Sequence, residues 1–195
     1  MKENRELRAL AREQLKGTWL AGVGVCLVYS LIIGALSPTG IGLLLLTGPL
    51  TLGLIGYFLN KARKQNPKFG ELFSGFNQFG SSLVLYLLEM VFLALWTCLL
   101  VIPGIVKYFS YSMSYFILRD NPEIGGLEAI TRSRKMMNGY KGKLFGLYLS
   151  FIGWGFLCCL SFGIGFLWLI PYMQASTANF YEDLKNNQLQ GAPAA

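Results

Sequence analysis

Two ionisable residues, Glu89 and Lys107, lie inside long apolar stretches of this 195-residue sequence. A charged group at membrane depth is costly, so each of them is a candidate functional residue. Each also has a structural alternative, because Lys107 can extend its ammonium to the outer interface and Glu89 can be a neutral carboxyl inside a helical bundle. Counting helical rise separates the two by about 13 Å in depth, which is too far for an ion pair.

A second polar group lies near the end of the sequence, where Gln174, Thr177 and Asn179 interrupt an apolar stretch. At helical spacing Gln174, Thr177 and Tyr181 share one face, which must turn inward or meet water. These residues either form hydrogen bonds between helices or line a cavity that opens to the cytoplasm. Together with Glu89 and Lys107, they are the candidate polar site of the chain.

The sequence offers few residues for catalysis or metal binding. Histidine is absent, which removes the commonest general base and metal ligand. The four cysteines lie in apolar stretches and lack zinc-type spacing. No nucleophile–base pair, paired carboxylates or nucleotide loop can be assembled. We therefore expect a protein that is not an enzyme, with no catalytic residue, no cofactor and no metal.

The elements that must position these residues are membrane helices. Residues 17–60 hold no Asp, Glu, Lys or Arg over 44 positions, and residues 144–181 repeat this over 38. As one helix the first stretch would be roughly 66 Å long, twice the ~30 Å hydrocarbon core of a bilayer. Each stretch therefore predicts two crossings, and Pro38 and Gly40 mark the turn between the first two.

We predict an all-α fold, a polytopic membrane bundle of about six transmembrane helices with amphipathic interfacial helices. Residues 1–16 are predicted to form a cytoplasmic amphipathic helix, and residues 17–195 a single membrane domain. Further interfacial helices are predicted at the aromatic segment Phe69–Phe79 and after Asn121, which we expect to cap a helix that begins at Pro122 and ends near Met137. The predicted spans cover residues 18–36, 40–59, 81–102, 105–118, 144–160 and 163–180.

The distribution of charge predicts the orientation of the chain. Sixteen of its 17 Lys and Arg residues fall in four patches, and only Lys107 lies outside them. Six crossings place all four patches and both termini on one side, which the positive-inside rule identifies as the cytoplasm. The net charge of +7 follows from this pattern, and we expect no nucleic-acid binding.

Small residues repeat every four positions in two of the predicted spans. In a lipid environment such residues allow helices to approach closely and so indicate packing faces. The predicted packing residues are Gly22, Cys26, Ser30 and Gly34 in the first span, and Gly142, Gly146 and Ser150 at the start of the fifth.

Several sequence runs together resemble a known family. They are Ile102–Tyr111, Asp120–Glu123, Ala129–Lys141, Leu167–Tyr172 and Ala178–Glu182, with Leu72–Phe76 and the opening Glu13–Gly17. They resemble a bacterial integral membrane family catalogued as domain of unknown function 975, and more distantly the membrane domain attached to some glycerophosphodiester phosphodiesterases. The resemblance implies the bacterial cytoplasmic membrane as location, and it carries over no activity and no functional residue.

Two functional hypotheses remain open. The first is a non-enzymatic membrane or envelope accessory protein that packs with membrane lipid, with a membrane-protein partner or as a homo-oligomer. The alternative is a small transporter with a polar cavity near Glu89, Lys107 and the end of the last span.

Overall fold

The computed structural model describes residues 1–191, which form ten α-helices and two 3-10 helices and contain no strand. The predicted all-α fold is confirmed. The 3-10 helices cover Ser37–Thr39 and Phe69–Gln78. The α-helices are α1 (Asn4–Leu15), α2 (Trp19–Leu36), α3 (Ile41–Ala62), α4 (Phe79–Leu99), α5 (Val101–Tyr111), α6 (Ser114–Asp120), α7 (Gly126–Met136), α8 (Lys141–Leu149), α9 (Ile152–Leu160) and α10 (Phe166–Gly191).

Four segments are long and apolar enough to cross a membrane, namely Trp19–Leu36, Ile41–Ala62, Phe69–Cys98 and Lys141–Leu160. They correspond to the first, second, third and fifth predicted spans, and they support a membrane location. The predicted spans 105–118 and 163–180 are not among them. The first of these is divided between α5 and α6, and the second belongs to α10, which continues well beyond residue 180 into polar sequence.

Helix α1 matches the predicted amphipathic helix at the start of the chain. Leu7, Ala11 and Leu15 are buried at a spacing of four residues, and α1 packs against α10. Gly17 then adopts a positive φ of 80°, a conformation that favours glycine, so the chain can turn from α1 into α2.

Helix α3 is the centre of the bundle. It contacts α2, α4, α6, α10 and the 3-10 helix Phe69–Gln78. In the most apolar 18-residue stretch of α3, 56% of the residues are buried, whereas in the corresponding stretch of Phe69–Cys98 only 11% are buried. The outer helices thus present apolar faces away from the protein, as expected of a bundle whose solvent is lipid.

The predicted aromatic helix is the 3-10 helix Phe69–Gln78, which lies directly on α3. Its phenylalanines face outward, while Leu72 is buried. A Cβ atom at Gly53 would overlap the Leu72 carbonyl, and one at Gly75 would overlap the Pro49 carbonyl. Glycine is required on both sides because the two backbones are in direct contact.

The predicted small-residue face of the first span holds over only half its length. Gly22 and Cys26 are buried, and a Cβ at Gly22 would lie 3.3 Å from Leu15. Ser30 and Gly34 are exposed, and nothing lies within 4 Å of a Cβ built at Gly34. The prediction was wrong at these two positions, which face away from the protein, although the second half of α2 still contacts α3, where the Tyr29 hydroxyl lies 3.0 Å from the Thr51 hydroxyl.

The second predicted packing face divides in the same way. Gly142 is exposed, with open space around it, so its prediction as a packing residue was wrong. A Cβ at Gly146 would lie 3.3 Å from the Asn4 side chain, and the Ser150 carbonyl accepts a hydrogen bond from Arg8. This face of α8 therefore packs against α1.

The turn between α4 and α5 lies earlier than predicted. Leu100, with φ −161°, separates the two helices, whereas the sequence suggested a boundary at Pro103. Proline is tolerated there because it lies in the first turn of α5, where the amide needs no partner within the helix. A Cβ at Gly104 would lie 2.7 Å from the Thr97 hydroxyl, which shows how closely α4 and α5 pack.

A side chain from α7 bridges the break between α5 and α6. The Ser133 hydroxyl accepts a hydrogen bond from the Met113 amide at 3.2 Å and donates one to the Ser110 carbonyl at 2.8 Å. Both backbone groups are thereby satisfied where the helix is interrupted. The predicted span 105–118 was therefore wrong as a single continuous helix.

Helix α7 begins later than predicted. Asn121 is the C-cap of α6, where its side chain donates a hydrogen bond to the Ile117 carbonyl at 2.8 Å. Helix α7 starts at Gly126, where a Cβ would lie 2.6 Å from the Leu85 amide nitrogen. The cap prediction was wrong because contact with α4, rather than the local cap signal, decides where this helix begins.

We predict that Gly53→Ala destabilises the protein by about 1–3 kcal/mol, the usual cost of forcing an extra carbon into a packed contact. The matched control is Gly34→Ala, which adds the same methyl group to a helix facing open space. Thermal unfolding in detergent compares the two variants. Equal melting temperatures would contradict the direct backbone contact between α3 and the 3-10 helix.

Candidate functional site

A basic cleft lies where α5, α7 and α8 meet, and we define it by the residues that line it. The cavity has a volume of about 400 Å³. Helix α5 contributes two residues, α7 and the turn after it contribute four, and α8 contributes one. The lining residues are Lys107, Ser110, Thr131, Arg134, Lys135, Asn138 and Lys141.

The bridge made by Ser133 brings these elements together. Because Ser133 binds the backbone on both sides of the break after α5, the next two residues, Arg134 and Lys135, lie beside Lys107. Gly139, with φ 80°, then turns the chain so that Lys141 begins α8 at the same cleft.

Lys107 does not lie where helical counting placed it. We expected it near the outer interface, but it lines the same cleft as Arg134, Lys135 and Lys141, which belong to the third basic patch of the sequence. Its ammonium lies 4.3 Å from the centroid of the Trp96 ring, a cation–π contact. Lys107 is therefore not an isolated cation, because it belongs to a cluster with residues of the third basic patch.

Unlike the four cations that form ion pairs, the cations of the cleft are unpaired within the described residues. Arg63, Arg119 and Lys185 each contact a carboxylate. Within residues 1–191, none of the four cations of the basic cleft forms an ion pair, and the cleft residues include no Asp or Glu. Four like charges around one cavity form a site suited to an anion with several oxygens, such as a phosphate.

Glu89 lies on α4 and is not among the residues that line the basic cleft. One of its carboxylate oxygens, Oε1, is buried and has no hydrogen-bond partner within the described residues. The Ser114 hydroxyl lies beside the carboxyl, and Tyr108 and Tyr115 are close enough to interact with it electrostatically. Within the described residues no ion pair joins Glu89 to Lys107.

The polar residues of α10 join that helix to its neighbours. Asn179 and Gln14 of α1 exchange two hydrogen bonds, of 2.9 and 2.8 Å. The Thr177 hydroxyl lies 3.4 Å from the Tyr148 hydroxyl of α8, while Gln174 is partly exposed. The structure thus uses Thr177 and Asn179 between helices, and within the described residues no hydrogen bond joins them to Glu89 or Lys107.

Sequence reasoning missed the most densely paired group of the protein, which surrounds Asp120. The Asp120 side chain is only 7% exposed. It accepts two hydrogen bonds from Arg63 of the segment after α3, at 2.7 and 2.8 Å, and one each from Tyr181 and Lys185 of α10. Its partners lie 57 to 65 positions away in sequence, so no local pattern could have indicated them.

Sequence also gave no signal of a second ion pair beside this group. Arg119 contacts Glu71 of the 3-10 helix, and Glu71 also accepts a hydrogen bond from Asn60 at 3.2 Å. The two neighbouring residues Arg119 and Asp120 therefore tie the end of α6 to the 3-10 helix, α3 and α10.

We predict that Asp120→Asn lowers the free energy of unfolding by about 2–3 kcal/mol at pH 7. This is less than the ~3–5 kcal/mol of a fully buried pair because Arg63 and Lys185 are partly exposed. Burial raises the pKa of Asp120, but hydrogen bonds from Lys185 and Arg63 outweigh burial and hold the pKa below the ordinary value of an aspartate. This stabilisation is thus present above the unfolded-state pKa and is lost as the pH falls through the folded-state pKa.

Unfolding of both proteins in detergent between pH 3 and pH 7 measures this difference. The control is Glu128→Gln, which breaks an exposed i,i+4 pair with Arg132 and is expected to cost less than about 0.5 kcal/mol. A difference between wild type and Asp120→Asn that does not shrink toward acid pH would contradict the assignment.

The comparisons with known proteins identify a family. A family profile described as Protein of unknown function (DUF975) matches residues 1–109 and 98–188. The comparisons with curated proteins and with solved structures give no match. The profile covers nearly the whole chain, and it confirms the resemblance indicated by the sequence runs. The chain therefore belongs to the DUF975 family of proteins of unknown function.

Proposed function

We propose that this protein is a non-enzymatic integral membrane protein that binds the anionic headgroup of a membrane phospholipid in the basic cleft. One observation carries the proposal. The cleft gathers Lys107, Arg134, Lys135 and Lys141 from three elements around about 400 Å³, without a carboxylate among its lining residues.

A phosphate-bearing lipid headgroup fits this arrangement for two reasons. Like charges held close together repel one another, and a bound anion removes that repulsion. Anionic lipids are also concentrated at the cytoplasmic surface of membranes, where each nearby Lys or Arg contributes about 1 kcal/mol to binding. Arg134 can bind two phosphate oxygens through its guanidinium, while the lysines act as point charges.

The proposed setting is the cytoplasmic membrane of a bacterium, with both termini in the cytoplasm. We assign the four apolar segments to four crossings, and the successive helices α5 and α6 and the first part of α10 to two more. This arrangement keeps all four basic patches on one side, and with them Arg134, Lys135 and Lys141 of the basic cleft. The outward apolar faces can meet lipid, a membrane-protein partner or a second copy of the chain, and nucleic acid has no part in the proposal.

We predict that the double variant Lys107→Gln/Arg134→Gln binds phosphatidylglycerol roughly thirty-fold more weakly than the wild type. The estimate corresponds to about 2 kcal/mol for two cations near an anionic headgroup. Native mass spectrometry of protein released from mixed micelles counts the phosphatidylglycerol molecules retained, with phosphatidylcholine as the neutral comparison.

The matched control is Arg132→Gln, which removes one cation from the same helix but from a residue already paired with Glu128. It should retain lipid as the wild type does. Equal retention by the double variant and the wild type would remove the basis of the proposal. A preference for soluble phosphate over the phospholipid would assign the cleft to a different anion.

A second candidate function, a small transporter, is favoured by Glu89. Its Oε1 atom is buried without a hydrogen-bond partner within the described residues, and a carboxyl inside a membrane bundle is a common proton carrier. We rank this candidate second because Glu89 is not one of the residues that line the basic cleft, and the first proposal rests on that cleft.

We predict that Glu89→Gln changes the free energy of unfolding by less than about 1 kcal/mol and leaves phosphatidylglycerol retention unchanged. The amide has nearly the shape of a neutral carboxyl and replaces one hydrogen-bonding group with another. Thermal unfolding and proton uptake by proteoliposomes test this, and Glu71→Gln, which breaks the ion pair with Arg119, checks the sensitivity of the unfolding assay. Proton flux in the wild type that disappears in a folded Glu89→Gln protein would favour the transporter.

A further inference from the structure

A groove bordered by the end of α1, the start of α2, α9 and α10 contains three of the four tryptophans of the chain, Trp19, Trp154 and Trp168. We call it the tryptophan groove. We propose that it holds one acyl chain of an anionic membrane phospholipid, with the lipid phosphate on Arg12. The proposal rests on the proposed membrane location of the protein, but it uses none of the residues of the basic cleft.

The shape of the tryptophan groove distinguishes it from an ordinary lipid-facing surface. Its three tryptophans come from three different helices and surround a volume of about 470 Å³, within the ~300–1,000 Å³ typical of small-molecule sites. Tryptophans that only anchor a protein at the membrane interface form a belt and need not enclose a cavity. Here the turn before α10 also lies close to α9, because a Cβ at Gly165 would lie 2.7 Å from the Cys158 sulfur.

The chemistry of the lining is that of a site for an amphiphile. Apart from Arg12, the lining residues are apolar or aromatic, and Leu157 and Leu169 line the groove together with the tryptophans. These side chains offer an acyl chain contacts on several sides, whereas a flat helix surface offers contacts on one. An apolar chain can therefore be held more tightly here than on the exposed outer faces of the bundle.

Arg12 supplies the charge that selects the lipid headgroup. Its side chain is exposed, its guanidinium lies 5.9 Å from the centroid of the Tyr172 ring, and it forms no ion pair within residues 1–191. The contact with Tyr172 orients the guanidinium, and the donors that do not face Tyr172 remain available for a phosphate. One cation at an otherwise apolar groove complements a molecule with one anionic head and an apolar chain.

The tryptophans make the proposal directly testable by fluorescence. Trp96→Phe removes the fourth tryptophan, so that all remaining tryptophan emission comes from the groove. In this background, in phosphatidylcholine nanodiscs, a small fraction of phosphatidylglycerol carrying brominated acyl chains should quench more strongly than the same fraction of brominated phosphatidylcholine. Arg12→Gln should reduce this preference about fivefold, as expected for one cation near an anionic headgroup, while Arg12→Lys should retain most of it.

Arg5→Gln is the matched control, since it removes a cation from an exposed position of the same helix that does not line the groove. It should leave the preference for phosphatidylglycerol intact. Equal quenching by the two brominated lipids, or an unchanged preference in folded Arg12→Gln, would overturn the proposal. An equal loss in Arg5→Gln would also overturn it, by showing that only the overall charge of α1 matters.

The same assay separates this proposal from the proposed function. The Lys107→Gln/Arg134→Gln variant should keep the preference seen by the tryptophans even though it loses retained phosphatidylglycerol. Loss of quenching preference in Arg12→Gln alone therefore supports the tryptophan groove whether or not the basic cleft binds lipid. Loss of the preference in the double variant, with no effect of Arg12→Gln, would assign the signal to the cleft and overturn the groove.

Discussion

The buried carboxylate of Asp120 is the constraint on which the arrangement of this protein depends. It joins α6 to the end of α3 through Arg63 and to α10 through Tyr181 and Lys185. Removing one partner of a buried ion pair leaves an uncompensated charge, so such a group tolerates few alternative arrangements. Because α6 is held in this way, the break before it has a defined place, and α7 can bridge that break through Ser133.

The two ways in which the protein uses its cations follow from this arrangement. At the junction of α3, α6 and α10, cations are matched by carboxylates and serve the fold. At the basic cleft and at Arg12, the described residues supply no such carboxylate. Paired charges hold helices together, whereas unpaired charges beside a cavity remain available for a ligand. This contrast is the physical basis for assigning anion binding to the cleft and the tryptophan groove.

Direct backbone contact, together with side-chain packing, determines the centre of the bundle. Gly53 and Gly75 allow the 3-10 helix to lie directly on α3, and Gly126 allows α7 to lie on α4. In a lipid environment the hydrophobic effect gives helices little reason to associate, so close approach and hydrogen bonding must supply the attraction. The exposed apolar side chains of the outer helices are those expected of a protein surrounded by lipid.

The sequence by itself determined the all-α class, the amphipathic first helix, four of the apolar segments and the turn at Pro38 and Gly40, because hydropathy, charge and helix-breaking residues act locally. It also identified Lys107 as unusual, though not its partners. Only the tertiary structure decided which glycines pack against other helices and where α5 ends and α6 begins. It also decided which residues surround Asp120, Lys107 and Arg12. Those features depend on contacts between residues far apart in sequence, and a periodicity of three or four residues carries no information about such contacts.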